Sequence, residues 1–379
     1  MVRVTRARGA IRRNPSVRVA RSRASGSPHL SDVVEIAVIG AGWIAEQVHL
    51  PNLRRLSGVV IKGVVDPDAE RRLVIQSRWA GMPVFESIEN LLGSGTPDAL
   101  LVCTPPEHHI EGALRALSCG THLYLEKPIA IRTSEARAIV DAWRPSTRIA
   151  AMGFNYRFHP GIGELVRRFV AGEVGARIAI RTLFSAPDNE RGSWRSMSSR
   201  GGGALVELGS HHLDLIRFVT GEEVREVTAT LSSRLAESDT AFVTLALTDE
   251  SMADCLFLLG GPEVDRFEII GERGILSLDR LAGRVEYVKR RFRHDRASAV
   301  QRAARLAWGA AREASRPAGE PSYRLALAAF VQAVRGSRDL LPSLADGLRA
   351  LELAESAIES ARTRKSLLVG RPTSRWPDR

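Results

Sequence analysis

Gly40-Ala41-Gly42-Trp43-Ile44-Ala45 forms a GxGxxA run, and its small residues each have a geometric task. The first glycine permits a tight turn, the second lets a pyrophosphate approach the backbone, and the alanine allows close helix–strand packing. A helix starting there offers free N–H groups and the positive end of its dipole to phosphates. Asp66 follows 21 residues after Ala45, where a carboxylate binds both hydroxyls of a ribose. Its charge repels a 2′-phosphate, which favours NAD over NADP, although Arg71 and Arg72 nearby temper that preference and leave NADP open.

Two further clusters suit proton transfer. Lysine is scarce, at positions 62, 127, 289 and 365 against fifty arginines. Lys127, in Glu126-Lys127-Pro128, follows an apolar run at the place where an open α/β sheet binds its ligands. Lysine can release a proton in a desolvated site and arginine cannot; the plain alternative is a solvated loop lysine. Downstream, a glycine loop (201–203) runs into a helical stretch in which Glu207, His211 and Asp214 are spaced to share one face. A carboxylate beside an imidazole fixes its tautomer and supports proton handling. An ordinary helix pair is the competing reading. A metal site on these three lacks a remote ligand motif, so no metal is expected.

The elements that position these residues come in two grammars. Apolar runs at 33–39, 59–65, 99–103, 122–125 and 149–154 alternate with helical periodicity at 43–56, 69–79, 107–118 and 134–143, which predicts a parallel sheet with helices on both faces. After a helix at 161–171, strands are expected at 177–184, 224–232, 241–248, 252–258, 267–270, 275–278 and 285–288, with helices at 204–219, 323–334 and 343–361. Period-2 patterning and tight connections there predict a mostly antiparallel sheet. The expected class is α/β plus α+β: an N-terminal Rossmann parallel sheet and a mostly antiparallel open-sheet substrate domain. The expected division is a basic extension at 1–30, the Rossmann domain at 31–152, the sheet domain at 153–369 with an insertion at about 290–317, and a tail at 370–379.

GAGWIA, the segment Thr104-Pro105-Pro106-Glu107-His108-His109, Glu126-Lys127-Pro128, GFNYRFHP (153–160) and GGGALVELGSHHLD (201–214) together resemble the Gfo/Idh/MocA oxidoreductases. That family includes glucose–fructose oxidoreductase and inositol dehydrogenase. The likeness runs from Val33 to about Leu368 and leaves out 1–30 and about 290–317. It implies hydride transfer between NAD(P) and a secondary alcohol or ketone of a sugar, cyclitol, aminocyclitol or nucleotide sugar. It implies Lys127 as acid/base, with Glu207 and His211 beside the reacting carbon. Glu207 stands where the family has Asp, and the extra methylene shifts the carboxylate by about an ångström or more. The resemblance further implies Gly40, Gly42, Trp43, Ile44, Asp66, Thr104, Pro105, His109 and Glu126 as cofactor contacts. It implies Asn155, Tyr156, Trp194, Arg195 and Asp214 as substrate contacts, and a homo-oligomer, dimer or tetramer, formed through the open sheet. Alternatives are an NAD-dependent glycoside hydrolase acting by transient oxidation and a nucleotide-binding regulator without turnover.

Charge and cysteine usage narrow the classes. The net charge of +11 is concentrated in residues 1–31, with eight arginines and no acid, and in 289–316, with nine basic side chains against Asp295 and Glu313. The remaining body is mildly acidic, which argues against a nucleic-acid groove through the core. The arm at 1–30 reads as a solvated extension; Arg12-Arg13 lacks the apolar run of an export signal. The 289–316 segment reads as a solvated insertion helix or, second, as a basic amphipathic helix on a membrane surface. No apolar stretch of about 18 residues occurs, so no spanning helix is expected. Cys103, Cys119 and Cys255 have no CxxC spacing, which fits a reducing compartment and a cytoplasmic protein.

Overall fold

The computed structural model describes residues 33–144, 146–187, 197, 200–289, 320–337 and 340–370. Within them, β1 (Val34–Ile39), β2 (Val59–Val65), β3 (Val84–Phe85), β4 (Ala99–Val102), β5 (His122–Leu125) and β6 (Ala150–Met152) form one sheet. All pairs are parallel, in the order β3-β2-β1-β4-β5-β6. β4, Ala-Leu-Leu-Val, is buried at every position, as a strand covered on both faces must be. The covering helices include α1 (Leu50–Arg54), α2 (Ala69–Arg78), α3 (Ile88–Gly93), α4 (His109–Ser118) and α5 (Thr133–Trp143). Strand order reverses between β1 and β4, so a crevice opens beyond their carboxyl ends. The two-residue β3 and the six-residue α3 went unpredicted, because neither is long enough to display a period.

After α6 (Pro160–Val170) the second sheet comprises β7 (Arg177–Ala186), β8 (Val224–Ser232), β9 (Thr240–Leu247), β10 (Met252–Leu259), β11 (Val264–Gly271), β12 (Gly274–Asp279), β13 (Arg284–Lys289) and β14 (Leu367–Leu368). Its order is β13-β12-β11-β7-β10-β9-β8-β14. β7 and β10 run parallel and the other pairs antiparallel. One face is apolar: Ile180, Phe257, Phe267 and Leu278 pack with α6 and with α7 (Ser210–Thr220) in one core. The other face carries Arg181, Phe242, Met252 and Arg266, which are exposed.

The chain then returns across both sheets. α8 (Pro321–Val334) sets Leu327, Phe330 and Val331 into the core beneath β1 that holds Ile36, Val38 and Tyr124. α9 (Leu344–Thr363) contributes Leu344, Ala350 and Leu351 to the opposite core of the parallel sheet, and Leu353, Ala354 and Ala357 to that of the second sheet. Its start is fixed by a capping box: Ser343 N–H donates to Asp346 Oδ2 (2.8 Å) and Asp346 N–H to Ser343 Oγ (3.2 Å). A helix shared by two cores holds the two layers in one relation. Among the described residues no helix is long and apolar enough to cross a membrane.

Candidate active site

A cavity of about 1540 Å³ runs along the carboxyl ends of the parallel strands and under the second sheet. That exceeds the roughly 300–1,000 Å³ of a single small-ligand pocket. At one end it is lined by Gly40, Gly42, Trp43, Ile44, Asp66, Thr104 and Pro105. Gly40 has φ +96°, and a Cβ there would lie 2.9 Å from Thr104 N, so only glycine lets the β1 loop meet the β4 loop. A Cβ on Gly42 would meet nothing nearer than Arg71 Nη1 at 3.8 Å, so the backbone there is open to the cavity. Asp66 is held by two backbone donors, Ala41 N–H to Oδ2 (2.7 Å) and Asp68 N–H to Oδ1 (2.9 Å). Asp66 also lines the cavity, and a carboxylate with two donors keeps acceptor capacity for ribose hydroxyls. These residues fit a dinucleotide.

The middle of the cavity is organised by two π-helical turns on either side of the loop after β5. The first, Ala45–His49, directly precedes α1; the second, Leu205–Gly209, directly precedes α7. From the first, His49 Nε2 lies 2.9 Å from Glu126 Oε1. Towards the second, Lys127 Nζ donates to the Glu207 carbonyl (3.0 Å) and pairs with Glu207 Oε2 (3.0 Å). Adjacent residues of one loop are thus each fastened to a different π turn, a helical irregularity that recurs at functional sites. Burial pushes the Glu126 carboxyl up, but the His49 hydrogen bond and the charges of His49 and Lys127 outweigh it and leave it below the usual carboxylate range. Gly153 keeps this corner open, since its Cβ would stand 2.8 Å from the Glu126 carboxylate.

His211 completes the cluster, lining the cavity with Lys127, Glu207, Tyr156 and Tyr323. Its ring stacks on Tyr156 at 4.2 Å and meets Phe154 and Phe184 at 6.3 Å. Burial first, then the charges of Lys127, Arg280 and His212, hold the imidazole well below its ordinary value. It is therefore neutral at physiological pH, a hydrogen-bonding partner rather than a cation.

Three expected contacts lie elsewhere. Asp214 does not line the cavity with Glu207 and His211: three residues on from His211 in α7, it sits about 60° round the helix and faces inward. It is buried and accepts from Arg157 Nε at 2.8 Å, and Arg157 also reaches Asp346 at 3.0 Å. Asn155 is fully buried and donates to Ser322 Oγ at 2.7 Å, tying the turn Asn155–Phe158 to α8 instead of facing a substrate. His109 sits beneath the cavity floor, with ring nitrogens 2.7 Å from Pro128 O and 2.9 Å from Thr104 O. It braces the two loops and does not line the cavity. Trp194, Arg195, the arm at 1–30 and most of 289–316 lie outside the described residues. His49, Tyr323 and Arg280 carried no spacing signal; they reach the site through tertiary packing.

A parallel sheet of Rossmann order, with an acid-anchored glycine loop beside a lysine and an imidazole, defines a dinucleotide-binding oxidoreductase scaffold. Residues 34–154 match the family described as "Oxidoreductase family, NAD-binding Rossmann fold", and 171–369 match its "C-terminal alpha/beta domain". The chain belongs to the Gfo/Idh/MocA oxidoreductase family. It is 28% identical to the rhizopine catabolism protein MocA of Rhizobium meliloti over 86% of this chain and 94% of that protein. It is 29% identical to D-glucoside 3-dehydrogenase of Escherichia coli over 50% of this chain, a match that spans 55% of the relative. The WlbA dehydrogenase of Bordetella pertussis, solved in complex with NADH and UDP-GlcNAcA, shares the fold with TM-score 0.74 at 20% identity, over 91% of this chain and all of that one.

Proposed function

We propose that this protein oxidises a secondary alcohol, or reduces the matching ketone, on a sugar, cyclitol, aminocyclitol or nucleotide sugar, with NAD as the preferred cofactor. The observation that carries the reading is the convergence of Lys127 Nζ, the Glu207 carboxylate and the His211 ring on one stretch of cavity wall next to the glycine loop. Gly40, Gly42 and the residues that open the following helix would hold the pyrophosphate, and Asp66 the adenosine ribose. A bound nicotinamide supplies the hydride acceptor or donor.

The chain's own residues do the proton work. In its amine form Lys127 Nζ takes the hydroxyl proton in oxidation, and in its ammonium form it returns a proton in reduction. Glu207 holds the amine in place from two atoms, its carbonyl and its carboxylate. His211, uncharged and fixed against Tyr156, hydrogen-bonds the reacting oxygen or a neighbouring hydroxyl. Relatives named as dehydrogenases of a glucoside and of myo-inositol support a polyhydroxylated substrate, and the names favour neither glycoside hydrolysis nor a silent sensor.

The exposed face of the second sheet supports self-association. Phe242 and Met252 are 56% and 44% exposed, and a depression of about 550 Å³ lies among Phe242, Leu256, Arg181 and Glu268. A homo-oligomer through this face would bury these apolar side chains; Phe242→Arg should lower the mass seen by light scattering.

A screen of sugars, inositols and nucleotide sugars for absorbance of reduced cofactor, with NAD and NADP in parallel, tests the reading. Reduction by at least one polyol is expected. Cleaved glycoside with no net reduced cofactor would replace this proposal by hydrolysis.

A further inference from the structure

The Tyr156 ring is covered on both faces. His211 stacks on it with centroids 4.2 Å apart and planes 17° apart, and the Arg280 guanidinium carbon lies 3.9 Å from the same centroid. Two groups so close to one centroid would overlap on a single side, so they occupy opposite faces. Arg280 is buried in the turn after β12. Its Nε donates to Asp265 Oδ2 at 2.6 Å and its Nη1 pairs with Glu320 at the start of α8. Asp265 Oδ1 in turn lies 3.1 Å from His212 Nε2. Elements from four places in the second half of the chain therefore meet around one phenol ring.

We propose that Arg280 is a positioning residue for His211: its guanidinium, clamped between two carboxylates and laid on the far face of Tyr156, fixes the imidazole plane and sets a positive charge behind it. What His211 is used for rests on the dehydrogenase reading above; the clamp itself does not.

A guanidinium suits this task because it stays protonated and is planar, so it can stack on a ring while its fork engages two acids. An ammonium keeps the charge and loses the plane. The groups facing His211 all act in one sense. Lys127 approaches from the β5 loop, Arg280 from beyond Tyr156 and His212 from its own helix, each opposing a further positive charge. Phe154 and Phe184 supply apolar walls. The acids nearby are engaged elsewhere, Glu207 with Lys127, and Asp265 and Glu320 with Arg280. His211 Nδ1 is buried with no hydrogen-bond partner, and an imidazolium would leave a charged N–H stranded there.

The test is a pH titration of the His211 imidazole by NMR in histidine-labelled full-length protein, its signal assigned by loss in His211→Gln. In Arg280→Gln the half-protonation point should rise by about one pH unit, tenfold in proton affinity. In Arg280→Lys it should stay within about half a unit of the parent, while kcat on the substrate found above falls about tenfold with KM little changed. A folded Gln variant with an unmoved His211 signal overturns the proposal, as does a Lys variant with parental kcat. If circular dichroism shows the Gln variant unfolded, the Lys variant decides alone by its kcat. A shifted His211 signal in a protein that oxidises no alcohol would keep this inference and remove the dehydrogenase reading.

Discussion

The two π turns are the instructive pair. Each follows a glycine loop with a residue at nearly the same φ, Gly40 at +96° and Gly203 at +94°. Each runs on into an α-helix, and each fastens one residue of Glu126-Lys127. They differ in what faces the cavity. Before the first, the loop residues Gly40, Gly42, Trp43 and Ile44 line the cavity, while the turn itself hides His49 completely. The second presents Glu207 and His211. One local geometry therefore serves two tasks: where side chains are withheld it can receive phosphates, and where titratable side chains project it can move protons. Glu126 itself reaches the cavity wall; we infer that its pairing with the hidden His49 serves stability and that the facing pair, Lys127 with Glu207, serves chemistry.

That contrast can be broken experimentally. His49→Leu leaves the buried Glu126 carboxylate without its partner and should cost about 3–5 kcal/mol in denaturant unfolding. Glu207→Gln, in the facing pair, should leave the unfolding midpoint nearly unchanged and slow turnover about 10²-fold. Equal stability losses in the two variants would erase the distinction.

Acid titration sharpens it. The folded Glu126 carboxyl is held below the ordinary carboxylate value by His49, so its stabilisation is present above that ordinary value and is lost as pH falls through the folded one. His211 resists protonation, so below 6.5 the unfolded chain binds the extra proton and stability falls further on acidification. His211→Gln should make the histidine limb shallower without abolishing it, because burial also holds His109 and His122 below the ordinary imidazole value, and should leave the lower limb, as read from melting temperature against pH.

The glycines give smaller effects of opposite kind. Gly203→Ala strains a left-handed backbone position and should cost about 1–2 kcal/mol with dinucleotide affinity intact. Gly42→Ala puts a methyl group into open cavity, so stability holds and NAD affinity falls about tenfold by calorimetry. A change of the same order is expected from Asp66→Asn, which should narrow the preference for NAD over NADP by about tenfold.

Local chemistry was legible in the sequence and tertiary chemistry was not. The glycine loop, Asp66, Lys127 and the Glu207–His211 spacing all lie within one turn or one strand end, where residue type and position suffice. Asp214 misled because a shared helical face is broad: three residues on from His211, Asp214 falls on the side turned to Arg157 and not on the cavity side. Asn155 and His109 misled because a polar side chain beside a motif can serve the scaffold as readily as a ligand. Arg280, reaching Tyr156 from the turn after β12, has no local pattern that announces it. α8 and α9 were foreseen as helices, but their packing against the parallel sheet was not, since amphipathicity says which face is buried and not against what.

The central claim is that Lys127 moves the carbinol proton while hydride crosses to the cofactor. The direct measurement is single-turnover oxidation of a substrate deuterated at the carbinol carbon, in the parent and in Lys127→Met, with dinucleotide binding followed separately by Trp43 fluorescence. The label should pass to the nicotinamide in the parent, and the variant should bind dinucleotide normally yet transfer about 10²–10⁴ times more slowly. Undiminished transfer in Lys127→Met would contradict the account.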